Sequence, residues 1–122
     1  MDHEFWENLE KLILTSSVVI DRPKGSVHPR FPDVTYPLDY GYLKDTASPD
    51  GGGIDVWIGD HKFRRPEAVI CTVDLNKRDV EIKILIGCSQ INIQRILDFH
   101  KSGKMQAILI RRDEEKEQNE FE

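Results

Sequence analysis

Apolar and polar positions recur with two different periods along this chain, and the switches between them mark out its elements. Phe5, Leu9, Leu12 and Ile13 return at helical spacing with Trp6 adjoining, which predicts a short amphipathic helix over residues 4–14. Val18, Val19 and Ile20 form a β-branched run closed by Pro23 and Gly25, so a strand leads into a polar loop. Pro29, Pro32 and Pro37 then hold the chain extended and out of a helix. Residues 36–43 read as aromatic-rich turns, followed by Gly51, Gly52 and Gly53 with Asp50 and Asp55 on either side. Three glycines allow positive φ and close approach, so this loop can curl its carboxylates toward one point. Ile54, Val56 and Ile58 alternate with Asp55 and Trp57 as in a half-buried strand, which places Asp55 where the loop enters a sheet.

Two β-rich runs, 68–73 and 80–86, are joined by a turn with Asp74 and Asp79 at its ends, the pattern of a hairpin. Ile91, Ile93, Ile96, Leu97 and His100 fit a helix whose N-cap is offered by Ser89 or Asn92 and which Ser102 and Gly103 stop. Residues 105–110 form one more strand. Residues 112–122 carry almost no apolar side chains and are expected to be a frayed helix or a disordered tail. An early helix, about five short strands, a late helix and long loops together predict a single α+β or mainly-β domain built on an OB-like barrel.

Composition narrows the chemistry. With 122 residues and 39% hydrophobic content there is room for one core and one site. A net charge of −5 argues against a phosphate-backbone binder and suits a site that collects cations. No run approaches the ~20 apolar residues of a membrane span, and the acidic, amphipathic start is not the pattern of a secretory signal. Cys71 and Cys88 lie in strand-like apolar runs, too few for a disulfide framework, and no Cys or His spacing suggests zinc. The expectation is a reduced, cytoplasmic protein.

The segments VVIDRPKGS, YPLDYGYL and DGGGID, then the D-x4-D turn at Asp74 and Asp79, stand in the order found in the soluble inorganic pyrophosphatases; FHK at 99–101 fits as well. Over residues 17–110 the chain resembles a shortened member of that family. The resemblance implies a five-stranded OB-like barrel, Mg²⁺ as cofactor with Mn²⁺ as an alternative, and hydrolysis of pyrophosphate to phosphate by a metal-bound hydroxide. It also implies a small-molecule substrate, neither nucleic acid nor membrane as partner, and a homo-oligomer. Carried over position by position, it makes Asp50, Asp55, Asp74 and Asp79 metal ligands, with Asp21 where the family has a Glu near the metal. Arg30, Tyr40 and Lys101 would hold phosphate, and either Lys24 or His28 stands for the early phosphate lysine. Asp55, Asp79 and Tyr40 are the expected catalytic groups.

The departures point the other way. The family's middle acid falls on Gly52, Glu81 takes the place of a phosphate-contacting lysine, and His100 that of a tyrosine. Positioned proton transfer typically contributes about 10²–10⁴-fold, so this loss predicts weakened turnover. Metal coordination still acidifies water by itself, and oxygen-only ligands suit hard Mg²⁺ or Mn²⁺. Two further expectations follow: a module on the same fold that binds metal or phosphate without turnover, and an OB-type nucleic-acid binder, against which the negative charge speaks. Judged singly, Asp50, Asp55, Asp74 and Asp79 are also ordinary turn acids, and Lys24, Arg30 and Lys101 ordinary surface cations.

Overall fold

The computed structural model describes residues 2–112. The chain runs α1 (His3–Leu14), β1 (Val18–Arg22), β2 (Asp39–Leu43), β3 (Ile54–Ile58), β4 (Pro66–Asp74), β5 (Asp79–Ile86), α2 (Gln90–His100) and β6 (Met105–Arg111). The strands form one sheet in the order β1-β2-β3-β5-β4-β6. Every neighbouring pair is antiparallel except β3 and β5, which run parallel.

Alternation along the strands gives the sheet two apolar faces. On one, Trp57, Ala68, Ile70 and Leu85 pack with Ile93 and Ile96 of α2 and with Tyr36 and Leu38. On the other, Val56, Ile58, Ile84 and Ile86 pack with Ile13 of α1, flanked by Leu9 and Leu12. The helical spacing of Leu9, Leu12 and Ile13 therefore faces the sheet, as a 3.6-residue period requires.

The sheet has six strands where the sequence pattern and the resemblance give about five. The additional one is β2, whose YGYL was expected as turn. Tyr40 and Tyr42 lie on one side of it, and Gly41 is what lets β1 approach: a Cβ there would lie 1.8 Å from the carbonyl oxygen of Val19. An aromatic pair around a glycine reads as a turn until a neighbouring strand fills the glycine's gap.

Between β1 and β2 the proline-rich segment makes its own narrow excursion. Gly25 N–H donates to Tyr36 O, Tyr36 N–H to Ser26 O, and His28 N–H to Val34 O, at 2.8–2.9 Å. This ladder carries Tyr36 into the core and leaves Phe31 60% exposed near the tip. At α2 both candidate caps are used: Asn92 N–H donates to Ser89 Oγ at 3.1 Å and Ser89 N–H to Asn92 Oδ1 at 3.0 Å, a reciprocal capping box. Of the expected tail only Arg112 falls within the described residues. Among those residues no helix is long and apolar enough to cross a membrane.

Candidate functional site

Period-two alternation in β5 puts Asp79, Glu81, Lys83 and Leu85 on the same side of the sheet. Because Val56 pairs with Ile84 in the parallel β3–β5 register, Asp55 comes beside Lys83. The Lys83 side chain is 7% exposed, and its Nζ donates to Asp55 Oδ2 at 2.9 Å, Glu81 Oε2 at 2.7 Å and the Tyr40 hydroxyl oxygen at 2.7 Å. Three ammonium protons meet three oxygens, so no donor is left over. Burial opposes the charge, but Tyr40, Asp55 and Glu81 outweigh it and hold the Lys83 pKa above the ordinary lysine value. Burial also pushes the Tyr40 phenol up.

This cluster forms the floor of a cleft of about 620 Å³. Asp74, Asn76, Lys77 and Asp79 of the β4–β5 turn make one rim, His28, Phe31 and Tyr36 one wall, and Phe99 and His100 of α2 another. The walls are aromatic: His28 stacks on Tyr36 with centroids 6.2 Å apart, and Tyr36 meets Phe99 at 5.3 Å. Beneath them Trp57 packs edge-on against Tyr40 at 4.7 Å, which fixes the phenol's direction toward Lys83.

The sequence-derived site residues fall into three groups. Tyr40, Asp74 and Asp79 line the cleft. Asp55 reaches it only through Lys83. Asp21, Lys24, Arg30, Asp50 and Lys101 are not among its lining residues, and all five are exposed.

Two of the acids already have local work. Asp50 Oδ1 accepts from Ser48 Oγ at 2.6 Å and from Gly52 N–H at 2.9 Å, and these bonds hold its carboxyl below the usual range. Gly51 and Gly53, with φ of 80° and 90°, supply the left-handed turns that close this loop on Asp50. Asp74 Oδ1 accepts from Asn76 N–H at 2.9 Å and Lys77 N–H at 3.2 Å, tying the hairpin turn. Its paired residue Asp79 behaves differently: burial and the neighbouring Glu81 push its carboxyl up. Glu81 is pushed up by burial too, but the Lys83 ammonium outweighs this and keeps it low.

Lys83 is the residue that sequence reasoning missed. Its signal was there: a lone lysine inside the run IKILI, flanked by apolar strand residues, has to find a counter-charge once the strand is buried.

Mg²⁺ fits part of this arrangement. Asp74 and Asp79 offer only oxygen donors at the open rim, and Mg²⁺ is commonly held by one or two carboxylates together with substrate phosphates. Between Asp55 and Glu81 it does not fit, because the Lys83 ammonium is already there. Among the described residues no three His, Cys, Asp or Glu side chains converge as a ready metal cage.

No protein-family model matches the sequence, and no curated protein sequence matches it. Solved structures do match. The chain is similar to an inorganic pyrophosphatase from Neisseria gonorrhoeae with a TM-score of 0.60 at 20% identity, covering 85% of this chain and 86% of that one. It is similar to the inorganic pyrophosphatase of Helicobacter pylori with a TM-score of 0.52 at 16% identity, over 79% and 82% of the two chains. For an inorganic pyrophosphatase from Coxiella burnetii the values are 0.52, 14%, 87% and 90%. The fold is therefore the OB-like α+β fold of the inorganic pyrophosphatases.

Proposed function

We propose that this chain hydrolyses pyrophosphate, or a related phosphoanhydride, taken up as its Mg²⁺ complex, with Mn²⁺ as a substitute ion. The observation that carries this reading is the meeting of Tyr40, Asp74, Asp79, Glu81 and Lys83 in one cleft of a fold shared with pyrophosphatases over most of the chain.

The charge of the cleft says in what form the substrate would arrive. Asp33, Asp74, Asp79, Glu81 and Asp98 line it against Lys77, Lys83 and Lys104, so bare pyrophosphate is repelled and its metal complex is not. Bound, the ion supplies charge neutralisation and a more acidic water. The remaining roles belong to the protein. Tyr40 accepts from Lys83, and its phenol, held protonated by burial, lines the cleft where a phosphate would sit. Asp79, whose carboxyl is pushed up by burial and by the neighbouring Glu81, is the rim group placed to take a proton from water. The aromatic walls set apolar surface beside these groups.

The test is phosphate release from pyrophosphate by the full chain with Mg²⁺, with Mn²⁺ and with chelator, alongside Asp79→Asn. Metal-dependent release that the substitution lowers by about a hundredfold or more supports the reading. A second reading, binding without turnover, is favoured by Gly52, which brings no carboxylate and uses its N–H to hold Asp50. Metal-dependent binding of pyrophosphate with no release from folded protein decides for it.

A further inference from the structure

We propose that Lys83 stands in the place of a divalent cation: its ammonium is permanently held between Asp55 and Glu81 and offsets one of their two negative charges, so the floor of the cleft takes up no metal of its own. The inference rests on the phosphoanhydride reading only for the identity of the ion replaced. Its geometric basis is independent of turnover.

Two carboxylates and a phenol converge on one buried point, an oxygen-only environment of the kind a hard cation takes. Left alone, Asp55 and Glu81 would repel each other across a half-buried space, and a cation among them is the physical remedy. Here the chain provides it. The ammonium is 2.9 Å from Asp55 and 2.7 Å from both Glu81 and Tyr40. A divalent ion entering this point would have to displace a covalently tethered positive charge whose donors are all used. A metal can be chelated away and Lys83 cannot, so the floor keeps its charge at any metal concentration.

An ordinary buried ion pair would look similar, and metal binding tells the two apart. The full chain, without pyrophosphate, is titrated with Mn²⁺ alone; uptake is followed by the electron paramagnetic resonance signal of free Mn²⁺, and the thermal midpoint is read with and without the ion. Asp55→Asn is expected to lower the metal-free midpoint by breaking the ion pair, but to leave wild-type Mn²⁺ uptake, and the midpoint shift that Mn²⁺ causes, unaltered. Lys83→Met, which leaves the two carboxylates facing each other, is expected to be less stable without metal and to bind one Mn²⁺ at least about tenfold more tightly than wild type. Its midpoint then rises with Mn²⁺, and adding Asp55→Asn removes the gain. A folded Lys83→Met that is destabilised but gains no Mn²⁺ would mean a purely structural ion pair and overturn the proposal. So would a wild-type Mn²⁺ site that Asp55→Asn abolishes, a result that decides the question even where Lys83→Met does not fold.

Discussion

Trp57 donates its indole N–H to Nε2 of His100 at 3.0 Å, joining the middle of the sheet to the last residue of α2 under the cleft. The acceptor role of Nε2 puts the imidazole proton on Nδ1, which faces Met105 Sδ at 3.4 Å. Burial, aided by the Lys83 charge, lowers the His100 pKa to about 3, so the ring is neutral throughout the range in which free histidine titrates. A tyrosine was the residue the resemblance gave for this position. The histidine holds the floor of the cleft to the helix.

A pH dependence of stability follows from that depressed value. The unfolded chain takes up the His100 proton near pH 6.5, whereas the folded chain does not until about pH 3. Between these limits the unfolded state binds more protons, so this contribution is fully present above pH 6.5 and is lost as pH falls toward 3. The slope is about 1.4 kcal/mol per pH unit. His100→Gln, which keeps an acceptor for Trp57, is expected to show a shallower loss of urea stability between pH 7 and 5. Equal slopes for the two proteins would contradict the assignment.

Gly41→Ala is expected to destabilise the fold by about 3 kcal/mol or more, since the new Cβ would sit 1.8 Å from the Val19 carbonyl oxygen and 2.9 Å from the Ile20 Cα, both main-chain atoms that cannot step aside. Urea denaturation checks it. A loss below about 1 kcal/mol would mean that β1 and β2 pair less closely than described.

Asp50 gives a third prediction. Because both donors to its Oδ1 lie in its own loop and it does not line the cleft, Asp50→Asn should leave metal-dependent phosphate release unchanged, in contrast to Asp79→Asn. Steady-state rates at saturating Mg²⁺ decide this. An equal loss in both variants would make Asp50 part of the reaction.

Much of the fold was legible because its signals are local. Leu9, Leu12 and Ile13 carry a helical period, Ile54 to Ile58 a strand period, and Ser89 with Asn92 a cap that needs only three residues to recognise. The strand at Tyr40 was not legible, since what makes it a strand is the fit of Gly41 against Val19, two elements distant in sequence. The site divides the same way. Asp74 and Asp79 were found through the hairpin turn that brings them together. Lys83 was not, because its meaning depends on a parallel pairing with β3 that sets it beside Asp55 from 28 residues away. Strand order and register are long-range properties, and a sequence pattern specifies the faces of a strand without specifying its neighbour.

The central claim is that the phosphoanhydride and its metal occupy the cleft beside Asp74 and Asp79 while Lys83 keeps the floor. The most direct test is a crystal structure of the full chain with Mn²⁺ and imidodiphosphate, a non-hydrolysable pyrophosphate analogue, with anomalous scattering used to locate the metal. The account predicts Mn²⁺ at the rim, bridging the analogue to Asp74 and Asp79, with Lys83 still bonded to Asp55 and Glu81. A Mn²⁺ peak between Asp55 and Glu81 with the lysine swung away, or an analogue bound outside the cleft, would contradict it.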